Sequence, residues 1–202
     1  MVTINPAVQT SAAGMFNIES DGFIVGAAMP DPAARFALSG GWLATSETLP
    51  MFGGVGISEN VPQERPPMTR ADVALGGIIA RATAYANLTG FSVFDQNYAA
   101  VNSPQSPVPT TDKGGLVNFY RLGSGARVAL AIDPTLISLE GGLITAQVSW
   151  DFTNQKIIAF ATTALNVRIL QIKASGCMVP SYNSGTGFTT WNYNGAAALV
   201  LL

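Results

Sequence analysis

The alternation of apolar and polar positions is clearest in the second half of the chain. LVNFYRL from Leu116 and ARVALAI from Ala126 flank Gly123-Ser124-Gly125, which predicts a β-hairpin on a glycine turn. ISLEGGLITAQVSWDFTNQKIIAF predicts a second such pair turning near Asn154-Gln155. VRILQI, the region from Cys177 to Tyr182, FTTWNY and AAALVLL supply the remaining strands. Upstream, Ile79 to Tyr85 alternates loosely and Phe91-Ser92-Val93 more strictly, with Gly76-Gly77 and Asn87 as strand ends. A two-strand unit is expected there. Many short strands separated by Gly, Pro and Asn clusters predict an all-β chain. The expected form is an antiparallel β-sandwich, a jelly-roll-like domain over residues 31–202, with an extended N-terminal arm over residues 1–30.

The arm follows from a conflict in its own composition. Pro6 and QTSAAG resist regular structure, yet Ile4, Val8, Phe16, Ile18, Phe23 and Ile24 are too apolar for a free tail, so the segment needs a surface to lie on. DPAARFALSGG offers Asp31 as a helix cap, Pro32 in the first turn and Gly40-Gly41 as the stop, which predicts one or two helical turns. VPQERPPMTRAD and NSPQSPVPTTDKGG are proline-rich and read as exposed loops. LPMFGGVGISENVP, residues 49–62, resembles a phosphate cradle at first glance. It lacks the lysine that such a loop needs after its last glycine, places Glu59 where phosphate would approach, and meets Pro62 where a helix would start. It reads as a flexible bend between Met51-Phe52 and Val55-Ile57.

Charge then narrows the function. Of 202 residues, 48% are hydrophobic and 11% charged, against roughly 25% charged in an average soluble domain. Such an exterior is expected either to be covered by another protein or another copy of the chain, or to rest on Ser, Thr, Asn and Gln. A net charge of −2, with Lys and Arg scattered, offers no electrostatic footprint for nucleic acid. No run approaches the roughly 18 apolar residues of a membrane span, and the N-terminus has neither the basic start nor the apolar run of a signal peptide. The expectation is a chain made in a cytoplasm, with no membrane partner.

Catalytic equipment is sparse. Histidine is absent and Cys177 is the single cysteine, so Ser-His-Asp and Cys-His arrangements, a disulfide within the chain and a structural zinc site are all excluded. Cys177 reads as a small buried hydrophobe. Asp133, Glu140 and Asp151 each adjoin turn-like residues and read as solvated turn acids rather than a catalytic pair. No cofactor and no metal is expected. Phe188, Trp191 and Tyr193 could form a stacking platform, but their spacing does not keep all three on one strand face; core packing with one exposed ring is the expectation.

GFSVFDQNYAAVNSPQSPVP, NFYRLGSGARVAL, LEGGLITAQVSWDFTNQ and TGFTTWNYNGAAALVLL resemble the head cement, or capsid decoration, proteins of tailed bacteriophages. The likeness runs over most of the chain, with QVSWD and TGF-x-TWN as its most specific strings. It implies a β-sandwich or jelly-roll-like virion protein without enzymatic activity. Such a protein would be a homo-oligomer, dimer or trimer, that binds the major capsid protein on the capsid exterior and staples neighbouring capsomers after assembly in the bacterial host cytoplasm. Partner contacts are expected at Ile4, Val8, Phe16, Phe23 and Phe36. Two alternatives stand beside it: a tail or spike module binding host glycan near Trp191, and a hydrolase working with carboxylates alone.

Overall fold

The computed structural model describes residues 22–29, 34, 36–60, 77–94, 108–139 and 147–202. Ile4, Val8, Phe16, Asp31, Pro32, Glu140 and the VPQERPPMTRAD loop lie outside them. The fold is all-β. Its strands are β1 (Leu38–Leu43), β2 (Gly56–Asn60), β3 (Gly77–Arg81), β4 (Gly90–Ser92), β5 (Leu116–Arg121), β6 (Arg127–Ala131), β7 (Val148–Asp151), β8 (Lys156–Ala159), β9 (Arg168–Asn183) and β10 (Phe188–Leu201). A closed five-stranded barrel, in the order β1-β3-β2-β4-β5, adjoins a three-stranded sheet, β6-β10-β9, and a two-stranded one, β7-β8. The barrel stands where a two-sheet jelly roll was expected. Its closure comes from β1, which pairs parallel with β3 and antiparallel with β5.

Several sequence expectations give way to that closure. LSGGWL is strand β1, not the end of a helix. Gly41 lies where strands crowd: a Cβ there would sit 2.5 Å from the Gly77 carbonyl oxygen and 2.7 Å from Ile79. The GISEN stretch is strand β2 and separates β3 from β4, so those two do not pair with each other. The bend before it is confined to Gly53-Gly54, with Gly54 at φ +87°, and residues 51–57 are all buried. It is a packed turn rather than a flexible one. Val108, Thr110 and Thr111 are also buried, because Thr111 and Met51 exchange backbone hydrogen bonds of 2.7 and 2.9 Å at the barrel mouth.

The glycine turn after β5 does not make a hairpin. Both edges of β5 are already taken, by β1 and β4, so the chain leaves for the second sheet, where β6 pairs with β10. Gly123 and Gly125 supply positive φ for the crossing, and Gly125 N–H is held by the Leu202 carbonyl at 2.9 Å. The β7-β8 hairpin does form, turning over residues 152–155 with Gln155 at φ +53°. The strands expected from VRILQI to AAALVLL merge into one long hairpin of two strands, β9 and β10.

Period-two alternation sorts the side chains into two main cores. Inside the barrel lie Leu43, Ile57, Ile79, Val117 and Phe119, with Met51, Phe52, Val55 and Val108 at one mouth. Outside it, Phe91 and Tyr120 of β4 and β5 pack against Val128, Leu130, Ile172, Ala198 and Val200 of the three-stranded sheet. Trp150 of β7 completes that core edge-on to Phe91, with ring centroids 4.8 Å apart. The β9-β10 ribbon serves both cores. Register shifts between Asn192 and Ala197 re-aim it, so Ile172 and Ala198 face the second core while Met178 and Trp191 enter the first. Residues 22–29, from the expected arm, lie on this same chain, bridging Met178 through Ile24 and Val128 through Ala28.

Strand spacing in the barrel gives a direct test. A Cβ on Gly90 would stand 2.1 Å from the Tyr120 carbonyl oxygen and 2.9 Å from the Arg121 Cα, both rigid backbone. Gly90→Ala is expected to cost about 1–3 kcal/mol or more in urea unfolding. Gly40→Ala meets nothing nearer than the Asn118 side chain, at 3.2 Å, with Leu116 and Val117 at ordinary contact distance, and is expected to cost less than about 1 kcal/mol.

Candidate interaction face

The outer face of the barrel is covered at one end and open at the other. Leu38 and Tyr120, opposite one another on β1 and β5, pack into the second core. Two steps along the same strands, Trp42 pairs with Leu116 on one side and Ile78 of β3 on the other. Their side chains form one row across three adjacent strands, and they are 40%, 41% and 40% exposed in that order. Opposed side chains on one sheet face lie about 4.5–5.5 Å apart at Cβ, so the row is a continuous apolar strip. Around it stand Asn60, opposite Ile78, and Gly40 and Asn118, the next opposed pair of β1 and β5. No charge adjoins the strip among these neighbours. Phe36, just before β1, is 92% exposed.

Charges on the barrel serve its two ends instead. At one end Arg121 donates from Nε and Nη2 to the Glu59 carboxylate at 2.8 and 2.7 Å, and from Nη1 to Ser39 Oγ at 2.7 Å. Its guanidinium lies 5.4 Å from the Phe119 ring centre, so the bidentate pair stoppers the barrel. At the other end Arg81 lies 5.4 Å from the Phe52 ring centre. Sequence reasoning uses Glu59 only as a bar to phosphate and does not single out Arg121; the register that places both at one mouth reveals the pair.

The remaining candidates resolve by position. Phe23 is half-buried beside the Val25, Ala131, Cys177 and Ala197 cluster, and its carbonyl accepts the Met178 N–H at 2.9 Å. Cys177 itself is buried. Trp191 is buried at the barrel mouth, tilted against Phe94 at 5.8 Å, whereas Phe188 and Tyr193 are exposed. The indole therefore offers no stacking face to a glycan in this fold. Asp151 lies at the end of β7 and accepts hydrogen bonds from Thr153 and Asn154 of the following turn. Burial works against its ionised form, but those hydrogen bonds win and its pKa is lowered. Asp133 accepts a 2.6 Å hydrogen bond from Lys156 Nζ, and others from the Thr135 backbone and hydroxyl. Among the described residues no group of three or more His, Cys, Asp or Glu side chains could hold a metal ion. Trp42, Ile78 and Leu116 went unnoticed in the sequence because LSGGWL reads as a helix stop, and alternation alone does not tell which end of a sheet face is covered.

No protein-family model, no curated protein and no solved structure matches the chain.

The Asp133–Lys156 contact predicts an acid-sensitive step. The Lys156 hydrogen bond, followed by those from Thr135, holds the Asp133 carboxyl down from 3.8 to about 2. A folded-state pKa below the unfolded one stabilises above the unfolded pKa and is lost as pH falls through the folded one. The stability advantage of wild type over Asp133→Asn is expected to be full near neutrality and to shrink between pH 3.8 and about 2, read as the difference in urea midpoints. A pH-independent difference would show that the ion pair contributes nothing.

Proposed function

We propose that this chain is a structural virion protein that binds the outer surface of a major capsid protein shell and bridges neighbouring capsomers. The observation that carries the reading is the Ile78–Trp42–Leu116 row, an apolar strip on an exposed sheet face whose opposed neighbours Asn60, Gly40 and Asn118 are uncharged. Low overall charge supports it: 22 charged residues in 202 leave much of the exterior weakly solvated. The likeness of the QVSWD and TGF-x-TWN strings to phage head cement proteins supplies the identity of the partner.

The energetics fix how such binding must work. Full burial of a large apolar side chain contributes about 1.5–3 kcal/mol, and these three are already partly covered. Association costs about 4–15 kcal/mol in lost translational and rotational freedom. The row alone cannot hold one copy on a shell. Further contact from each copy, or many linked copies acting together, must supply the rest, which suits a homo-oligomer spanning several capsomers. The alternative of a glycan-binding tail or spike module loses its central ring with Trp191 buried.

Electron microscopy of particles that carry this chain tests the proposal. The expected image shows copies on the shell exterior, with the Trp42 face turned to the shell or to a second copy. Particles assembled with the Trp42→Ser and Ile78→Ser double variant are expected to retain less than about a tenth of those copies. Location on the tail, or undiminished occupancy by the variant, would overturn it.

A further inference from the structure

A cleft of about 680 Å³ opens beside the Arg81 end of the barrel. Its walls include Leu49, Phe52 and Arg81 at the mouth, Lys156 of the β7-β8 hairpin, Ile137 of the segment after β6, and the ribbon residues Tyr182, Asn192 and Asn194. The volume falls within the range of about 300–1,000 Å³ for small-molecule sites. Although the chain as a whole is net acidic, Arg81 and Lys156 line this cleft and, among the described residues, no Asp or Glu does, though Lys156 is itself paired with Asp133 at 2.6 Å, which leaves Arg81 as the cation to consider.

Arg81 is held in a way that differs from Arg121. The Arg121 side chain is 52% exposed and has a bidentate carboxylate, whereas that of Arg81 is only 13% exposed and has none. Arg81 Nη2 donates to the Pro50 carbonyl at 2.5 Å. Glu47 is the nearby acid, but its Oε1 accepts the Arg81 backbone N–H at 3.0 Å, and its Oε2 stands 4.0 Å from Nε. Nε is enclosed without a partner. Nη1 has no hydrogen-bond partner among the described residues either, yet it is not sealed in. Desolvation argues for the opposite assignment, because the more buried cation needs the better partner. Burial accordingly lowers the Arg81 pKa, against the opposing influence of Glu47 and Tyr182. An under-paired, partly desolvated cation at a cleft marks a place where charge is to be supplied from outside.

The ribbon wall has matching chemistry. Asn192 Oδ1 accepts the Asn194 N–H and Asn194 Oδ1 accepts the Gly176 N–H, each at 3.1 Å. Each oxygen keeps one further lone pair, and the two side-chain NH2 groups supply donors. The cleft thus presents hydrogen-bond donors beside an aromatic and aliphatic lining. We infer that it binds a small ligand bearing an oxyanion, a carboxylate or a phosphate, placed against Arg81 with its body along Tyr182 and Leu49. This site is independent of the apolar row, and its failure would leave the capsid-binding proposal standing.

Amide and side-chain NMR of the full chain, titrated with benzoate, inorganic phosphate and neutral benzamide, tests the inference. Benzoate, phosphate or both are expected to shift the Asn192 and Asn194 side-chain amides and the Gly54 backbone amide saturably, with benzamide silent. A response to benzoate alone identifies a carboxylate site, and one to phosphate alone a phosphate site. Arg81→Gln is expected to abolish the shifts, but that variant removes a packed side chain. Asn194→Asp keeps the oxygen that caps Gly176, sets a carboxylate at the cleft and is expected to weaken binding about tenfold or more. Absence of saturable shifts with both anions, equal affinity in Asn194→Asp, or an equal response to benzamide would each overturn the proposal.

Discussion

A sheet of only five strands can close on itself if its strands approach tightly and few side chains point inward, and every other feature of this molecule follows from that constraint. Strand β1 supplies the closure, pairing with β3 on one edge and β5 on the other. Glycine meets glycine at Gly41 and Gly77, where a Cβ on Gly41 would collide with the Gly77 carbonyl and one on Gly77 would press on the Glu59 side chain, while Phe119 and Ile79 fill the interior. Small residues at the crowded crossing and large ones elsewhere are how a narrow barrel is packed. Closure also removes the sheet edges that would otherwise offer unpaired backbone to other chains. What remains to be offered is the outer face, and that face is divided. Its Leu38, Phe91 and Tyr120 region is consumed by the second core, and its Trp42 end is not.

The second core depends on the barrel through one ribbon. In β9 and β10 the shifts of register around Gly195 let one pair of strands change its inward face partway along. A Cβ on Gly195 would stand 2.3 Å from Val179, so the switch is built where one strand lies hard against the other. Met178 and Trp191 then help to close the barrel mouth while Ile172 and Val200 face Trp150 and Phe91 in the other core. Loss of either core would leave half of the ribbon's apolar surface uncovered. The two halves are therefore expected to unfold together rather than as separate domains.

Legibility in the sequence tracked how local each determinant is. The β7-β8 hairpin was readable because its turn and its pairing lie within a dozen neighbouring positions. The long ribbon was readable as strands, though not as only two, because Gly176 and Gly195 look like chain breaks when they are bulges inside continuous strands. LSGGWL and GISEN defeated local reasoning for the same reason: glycine pairs signal ends or bends, and only contact with β3 and β4 makes them strand positions. The β5-β6 turn misled in the opposite direction. Its glycines are genuine turn residues, but whether two flanking strands pair depends on which edges are already occupied. Asp133 and Asp151 were legible as turn acids, since an aspartate capping the following residues is a local device. The apolar row was not, because exposure is a property of what fails to pack nearby.

Where the charges lie explains how a chain this poor in them keeps its shape yet leaves an apolar row exposed. Among the described residues, Glu59 with Arg121 and Asp133 with Lys156 form close ion pairs and Glu47 stands 4.0 Å from Arg81, each linking segments distant in sequence. Placed on barrel ends and on the β8 connection, these charges secure topology rather than solvate the exterior. The outer sheet face is left to Ile78, Trp42, Leu116 and their amide and glycine neighbours. An apolar row of this kind has little electrostatic means of choosing a partner, since charge complementarity and repulsion are main sources of selectivity. If the row is the capsid contact proposed above, selection falls to shape and valency: a repeating array that presents the same apolar seat many times rewards a weak contact, whereas a lone soluble protein does not.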